Sequence, residues 1–142
     1  MPSTYQSIVI NAHVETVWDT VKDFHDFSWA AGVIESCDVV GDKSGKEIGA
    51  KRILNGAFHE TLKEINNESY TVRYSIDDGP TPVSSSDVSN YVGTLQLRSS
   101  NLDGKTFVEW GSQWESNSED AVEFCHQIYA ALLNTLQAKF AG

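Results

Sequence analysis

The feature that most constrains the fold is a change in the period of the hydrophobic pattern along the chain. From about residue 33 to residue 115, apolar and polar side chains alternate, as they do in strands that bury one face. Turn-forming residues interrupt the alternation, and Asn55-Gly56 is the strongest hairpin signal among them. Strands are therefore predicted at about 33–40, 47–54, 57–65, 69–77, 88–99 and 105–115.

The two ends of the chain add a strand and two helices. Residues 5–10 alternate and predict a first strand, and apolar residues at helical spacing predict a short helix over about 13–22. A stripe of period three to four that reaches Phe140 predicts one long amphipathic helix, with Ser116 or Ser118 as its cap. Antiparallel strands packed on such a helix form an α+β architecture. Seven strands around one helix leave space unless very large side chains fill it, so an internal cavity is predicted.

Length, charge and cysteine content limit the class of protein. A chain of 142 residues is near the commonest domain size, so residues 1–142 are predicted to form a single domain. The formal net charge of −10 repels phosphate backbones and anionic lipid, which argues against nucleic acid or a membrane as partner. With no signal-like start, no long apolar run and only two cysteines, a cytoplasmic location is expected. No metal-ligand spacing, Walker motif or dinucleotide pattern occurs, so no metal and no cofactor are predicted.

Polar and aromatic groups fall on the inward faces of the predicted strands. Period-two alternation places Arg52 with Ala50 and Leu54, and each inward set mixes apolar neighbours with one or two polar groups, as in the lining of a ligand chamber. The predicted ligand-binding residues are Trp29, Arg52, Phe58, Glu60, Tyr74, Tyr91, Trp110, Trp114, Cys125, Tyr129 and Leu132.

Arg52 and Glu60 are the charged members of this set. A buried guanidinium requires an anionic partner or a full set of acceptors, so Arg52 either anchors a ligand oxygen or pairs with Glu60. If the two side chains meet, the pair lowers the pKa of Glu60. If Glu60 instead faces an apolar chamber, its pKa rises and it can act as a general base. The ion pair is the favoured interpretation.

The aromatic members of the set allow two interpretations as well. The hydroxyl groups of Tyr74, Tyr91 and Tyr129 can orient a carbonyl oxygen, or the rings can simply pack in the core. Trp110 and Trp114 are interpreted as wall residues that shape the chamber.

The order of short motifs resembles a known superfamily across nearly the whole chain. The motifs are Val17-Trp18, Asp23-Phe24, Trp29, Val33-Ile-Glu-Ser-Cys37, Glu47-x-Gly-x-x-Arg52, Glu60-x-Leu62, Tyr74-Ser-Ile76, Asn90-Tyr91 and Val108-x-Trp110. Together they resemble the START, birch-pollen-allergen and polyketide-cyclase (SRPBCC) superfamily, in its polyketide cyclase/dehydrase branch. The resemblance implies a helix-grip fold: a seven-stranded curved antiparallel sheet around a long C-terminal helix, two short helices between strands 1 and 2, and an internal cavity.

Two branches of that superfamily can be compared with this chain residue by residue. The plant abscisic-acid receptors are similar at Arg52, Glu60 and Asn90-Tyr91, but their hormone-binding lysine falls at Glu35, and their gating-loop motifs are absent. The fern-type hydroxynitrile lyases are similar at an arginine and three tyrosines of the set above, while an acidic pocket residue of theirs falls at Phe58. A hormone receptor is therefore not expected, and lyase activity does not carry over directly.

Two functional hypotheses follow from these observations. The first is a binding or carrier protein, monomeric or weakly dimeric, that holds a small hydrophobic molecule with a carbonyl, hydroxyl or carboxylate head in a chamber of about 300–1,000 Å³. The alternative is an enzyme, a cyclase, dehydratase or lyase. In that case Arg52 stabilises an oxyanion, and Glu60 or one of Tyr74, Tyr91 and Tyr129 moves a proton.

Overall fold

The computed structural model describes residues 1–100 and 102–141, which form one antiparallel sheet and two α-helices. The seven strands lie in the order β1-β7-β6-β5-β4-β3-β2, so every neighbouring pair except β1 with β7 is also consecutive in the chain. The elements are β1 (Ser3–Ile10), α1 (Val14–Val21), β2 (Cys37–Val40), β3 (Lys51–Leu54), β4 (Phe58–Asn66), β5 (Thr71–Asp78), β6 (Ser89–Ser99), β7 (Thr106–Glu115) and α2 (Asp120–Lys139).

The long helix α2 supplies one side of the core. It begins at Asp120 with Glu119 at the N-cap position, so the predicted cap at Ser116 or Ser118 was wrong; Ser118 lies one residue earlier, where its hydroxyl oxygen accepts the Asp120 backbone N–H at 3.0 Å. Its buried residues recur at helical spacing and pack over the sheet, most extensively on β1. The predicted α+β helix-grip architecture is confirmed. No helix in the described parts of the chain has the length and apolar character needed to cross a bilayer.

Two predicted strands begin later than the alternation indicates. The Val33 and Ile34 N–H groups both bond to the Ala30 carbonyl in a turn, and the Glu35 and Ser36 N–H groups bond to the Asn55 side chain, so β2 starts only at Cys37. The predicted strand at 47–54 is likewise reduced to β3, since Gly49 has a φ of +94° and turn hydrogen bonds join Glu47 to Ser44 and Ala50 to Glu47.

The segment between α1 and β2 contains three buried aromatic residues, Phe24, Phe27 and Trp29, here called the aromatic plug. The second of the two short helices implied by the resemblance lies in this segment and is a single 3-10 turn, Ser28–Ala30. The Phe24 N–H bonds to the Gly45 carbonyl at 3.0 Å, and a Cβ at Gly45 would lie 2.8 Å from the His25 nitrogen. Glycine at this position therefore lets the plug approach the β2–β3 connection closely.

Candidate functional site

The charged centre of the interior is the pair of Arg52 and Glu60. These residues face each other across β3 and β4, and each is about 5% exposed. The Arg52 Nε and Nη2 atoms donate to Glu60 Oε1 at 2.8 Å and 2.5 Å, and Nη1 donates to the Phe24 carbonyl at 2.9 Å. The favoured ion pair is therefore present.

Aromatic rings enclose the guanidinium group of Arg52. Its central carbon lies 3.7 Å from the ring centroid of Phe24, 4.6 Å from that of Phe27 and 5.3 Å from that of Tyr74. Cation–π attraction to desolvated rings compensates part of the cost of burying the charge. Phe24 and Phe27 of the aromatic plug thus help to hold Arg52 against Glu60.

The protonation equilibrium of Glu60 differs from the sequence-based expectation. Burial raises the pKa of Glu60 above its ordinary value, and this outweighs both the attraction of Arg52 and the hydrogen bonds that Arg52 donates. The predicted lowering of the Glu60 pKa was wrong, because the cost of removing a fully buried carboxylate from water exceeds the stabilisation that one neighbouring cation provides. Because its pKa is higher in the folded state, Glu60 makes its full contribution to stability below its unfolded-state pKa, and that contribution is lost as pH rises through its folded-state pKa. The Arg52 Nε and Nη2 atoms both donate to Glu60 Oε1, and within the described residues no hydrogen bond is made to Glu60 Oε2.

The three predicted tyrosines form a continuous hydrogen-bonded network. The Tyr129 hydroxyl from α2 lies 2.8 Å from that of Tyr74 and 2.5 Å from that of Tyr91. The Trp110 indole donates to the Tyr74 hydroxyl at 3.0 Å, and the Tyr91 hydroxyl donates to Ser112 Oγ at 2.9 Å.

The order of donors in this network follows from Ser112 at one end. Each phenol has one proton to donate, and the Tyr91 proton is donated to Ser112, so Tyr129 donates to Tyr91 and Tyr74 donates to Tyr129. The Tyr74 oxygen in turn accepts from the Trp110 indole, which can only donate. The pKa of each of the three phenols is raised well above 10.0, and burial is the largest cause in every case. The phenols are therefore neutral hydrogen-bonding groups at neutral pH and are poorly suited to act as bases.

Gly93 makes room for the Tyr74 ring. The two residues are partners across β5 and β6, and a Cβ at Gly93 would lie 2.6 Å from the Tyr74 hydroxyl oxygen and closer still to Cζ. Gly93 and Ser112 are both buried, and neither was among the predicted site residues. A glycine inside a predicted strand is the signal for such a close approach.

A pocket of about 100 Å³, here called the main pocket, lies between the sheet and α2. It is smaller than the predicted 300–1,000 Å³ because large aromatic side chains fill most of the space that seven strands leave around one helix. Of the predicted set, its lining includes Arg52, Phe58, Glu60, Tyr74, Tyr91, Trp110, Cys125, Tyr129 and Leu132. The roles of these residues in ligand binding remain predictions.

Two predicted residues lie elsewhere. Trp114 is fully buried and stacks on the Tyr91 ring at a centroid distance of 5.3 Å, and it lines neither the main pocket nor the smaller one described next. Trp29 lines a separate space of about 20 Å³, here called the small pocket. Cys125 lies in the wall of the main pocket, where burial raises the pKa of its thiol and keeps it protonated.

Much of the pocket lining that was not predicted comes from loops and from the helix, although Leu54 of β3 and Ile76 of β5 also contribute. Val83, from the loop after β5, and Ile128 and Phe124 of α2 all line the main pocket. Phe58 and Phe124 are half-buried and their rings stack with centroids 6.3 Å apart, so they form a partly exposed end of the pocket wall. Alternation within strands does not report which loop residue or helix face closes a pocket. In the described parts of the chain, no group of three histidine, cysteine, aspartate or glutamate side chains is placed to hold a metal ion.

A curved antiparallel sheet that grips a C-terminal helix, with a pocket between the two, defines the helix-grip class of proteins. Within that class the chain belongs to the polyketide cyclase/dehydrase and lipid transport family, which matches residues 1–141. No curated protein matches the chain.

Solved structures of bacterial proteins share the complete fold. One from Nitrosospira multiformis is 47% identical, with a TM-score of 0.97 over 99% of this chain and 97% of the other. The protein XoxI of Bacillus cereus is 25% identical, with a TM-score of 0.81 over 99% of this chain and 96% of the other. A protein from Bacillus thuringiensis is also 25% identical, with a TM-score of 0.80 over 97% of this chain and 98% of the other.

Proposed function

We propose that this protein binds a small, largely apolar molecule with a polar head in the main pocket. The observation that carries the proposal is an apolar pocket whose few polar groups converge on it: the Arg52–Glu60 pair and the tyrosine network. Apolar burial supplies affinity in such a site, and placed polar groups fix the orientation of the ligand. A cytoplasmic location and a monomeric or weakly dimeric state remain predictions from the sequence.

The pocket volume limits the size of the ligand. An engineered cavity of ~150 Å³ binds benzene, so a space of about 100 Å³ accepts about four or five heavy atoms without rearrangement. A larger ligand would have to displace side chains at the Phe58–Phe124 end. Cyclopentane, with five heavy atoms, is therefore a suitable apolar probe for the ligand-free protein, and cyclopentanone adds to it the single oxygen atom of a polar head.

Filling the main pocket is expected to remove binding of these probes. The Ile128→Trp substitution places an indole where a half-buried isoleucine lines the pocket, and we expect at least about tenfold weaker binding of cyclopentane, measured by NMR titration. Val122→Trp is the matched control, because Val122 is also half-buried on α2 but does not line the main pocket. Saturable binding by the control and not by Ile128→Trp supports the proposal. Equal binding by both variants, or no binding by the native protein, contradicts it.

A second candidate function is enzymatic, and the raised pKa of Glu60 favours it. A carboxylate in the pocket wall with one unbonded oxygen and a pKa nearer to neutral can remove a proton next to a carbonyl group. The Arg52 guanidinium is placed beside Glu60 to stabilise the enolate that forms.

Exchange of the protons next to the carbonyl of cyclopentanone in D₂O tests this candidate. An enzyme of this kind exchanges them faster than buffer does, and Glu60→Gln abolishes the acceleration because an amide is not a base. The rate should increase as pH rises through the pKa of Glu60, since only the carboxylate accepts a proton. Binding without accelerated exchange identifies a carrier, and acceleration that survives in Glu60→Gln rules out Glu60 as the base.

A further inference from the structure

The indole of Trp29 is a buried hydrogen-bond donor without a partner. Trp29 is 7% exposed, and its Nε1 atom makes no hydrogen bond within the described residues. Native proteins pair almost all buried polar groups, because an unpaired one has lost its bonds to water without replacement. An unpaired donor of this kind in the wall of a pocket is available to an oxygen atom from outside the chain.

The small pocket that Trp29 lines has room for one such atom. Its volume of about 20 Å³ is close to the minimum that holds a single water molecule. Phe27, Arg52, Tyr74 and Trp110 line both the small pocket and the main pocket. The two spaces therefore adjoin along these four side chains.

The groups around the small pocket favour a hydrogen-bond acceptor. A guanidinium has five N–H groups, and in Arg52 three hydrogen bonds to Glu60 and Phe24 leave two of them available. The oxygen of Tyr74 and the indole N–H of Trp110 already bond to each other. The remaining lining is apolar or aromatic. A ligand hydroxyl would thus have to find an acceptor for its own proton.

The charge balance argues against an anionic head. Glu60 already compensates Arg52, and both are buried. A ligand carboxylate would add a second negative charge to a site with one cation, and burying an uncompensated charge is costly. A neutral carbonyl oxygen accepts hydrogen bonds and adds no charge.

We infer that the small pocket is a carbonyl-oxygen subsite and that the ligand is a short ketone or aldehyde. Its carbons occupy the main pocket, and its oxygen accepts a hydrogen bond from Trp29 Nε1 beside Arg52. This inference rests on the proposed function and narrows the polar head from three chemical types to one.

Four five-membered-ring probes test the inference: cyclopentane, cyclopentanone, cyclopentanol and cyclopentanecarboxylate. We expect cyclopentanone to bind tightest, and Trp29→Phe to weaken its binding about fivefold, the effect of one hydrogen bond. Cyclopentane should bind Trp29→Phe and the native protein equally. Trp114→Phe is the matched control, because Trp114 is also a buried indole that finds no acceptor among the described residues, but it lies outside both pockets. In the native protein, the Trp29 indole N–H resonance should shift with cyclopentanone and not with cyclopentane.

The outcomes separate this inference from the function on which it rests. If cyclopentane binds but Trp29→Phe leaves the affinity for cyclopentanone unchanged, the carbonyl subsite is overturned and the binding function stands. Tightest binding of the carboxylate or the alcohol also overturns the neutral carbonyl head. If none of the four probes binds the native protein, the proposed function fails and the subsite fails with it.

Discussion

Replacing Arg52 with leucine is expected to lower the free energy of unfolding by about 3–5 kcal/mol, the usual cost of breaking a buried ion pair. The substitution leaves Glu60 enclosed without its cation and removes the bond to the Phe24 carbonyl. Urea denaturation measures the loss. It should be smaller at about pH 4 than at neutral pH, because a protonated Glu60 does not need the cation.

Two further variants make the result specific to the buried pair. Arg73→Leu breaks the Arg73–Glu64 bridge, whose side chains are 50% and 42% exposed, and it should cost at most about 1 kcal/mol. The double variant Arg52→Leu/Glu60→Leu removes both charges and should recover most of the stability lost in Arg52→Leu. A loss of under about 1 kcal/mol in Arg52→Leu at neutral pH would show that the pair is not a required part of the fold.

Replacing Gly93 with alanine is expected to lower the free energy of unfolding by about 3 kcal/mol. The new methyl group overlaps the Tyr74 ring, which has to leave its place beneath Trp110 and Tyr129. Two hydrogen bonds of the network are then lost in addition to the cost of overpacking. Urea denaturation reports the stability, and the Trp110 indole N–H resonance reports the lost bond to the Tyr74 hydroxyl.

A double-mutant cycle with Tyr74→Leu distinguishes the steric overlap from a backbone effect of alanine. Leucine lacks the Cζ and hydroxyl atoms that the methyl group would meet, so adding Gly93→Ala in that background should cost less than about 1 kcal/mol. The φ of Gly93 does not lie in the left-handed region, so the backbone accepts alanine without strain. Equal costs in both backgrounds contradict the assignment of Gly93 as the residue that positions Tyr74.

Alternation and turn chemistry were sufficient to predict the architecture and the inner face of the sheet. Arg52, Glu60, Tyr74, Tyr91 and Trp110 are all buried, as their positions in period-two segments predicted. Each strand has only two faces, so a correct register assigns every side chain to one of them. The predicted boundaries were wrong before β2 because a turn at Ala30 and the Asn55 side chain bond the N–H groups of residues 33–36, and before β3 because Gly49 has a positive φ within a turn.

The tertiary structure decided how the inward groups are used. Alternation places Arg52 and Glu60 on inner faces, but their meeting depends on the register of β3 with β4 and on the aromatic plug that encloses them. The raised pKa of Glu60 depends on the balance of burial and pairing, and the network through Tyr129 depends on how α2 is rotated over the sheet. The pocket is about 100 Å³ because distant side chains pack there together. These properties arise from contacts between residues far apart in the chain, and a local pattern of hydrophobicity carries no information about them.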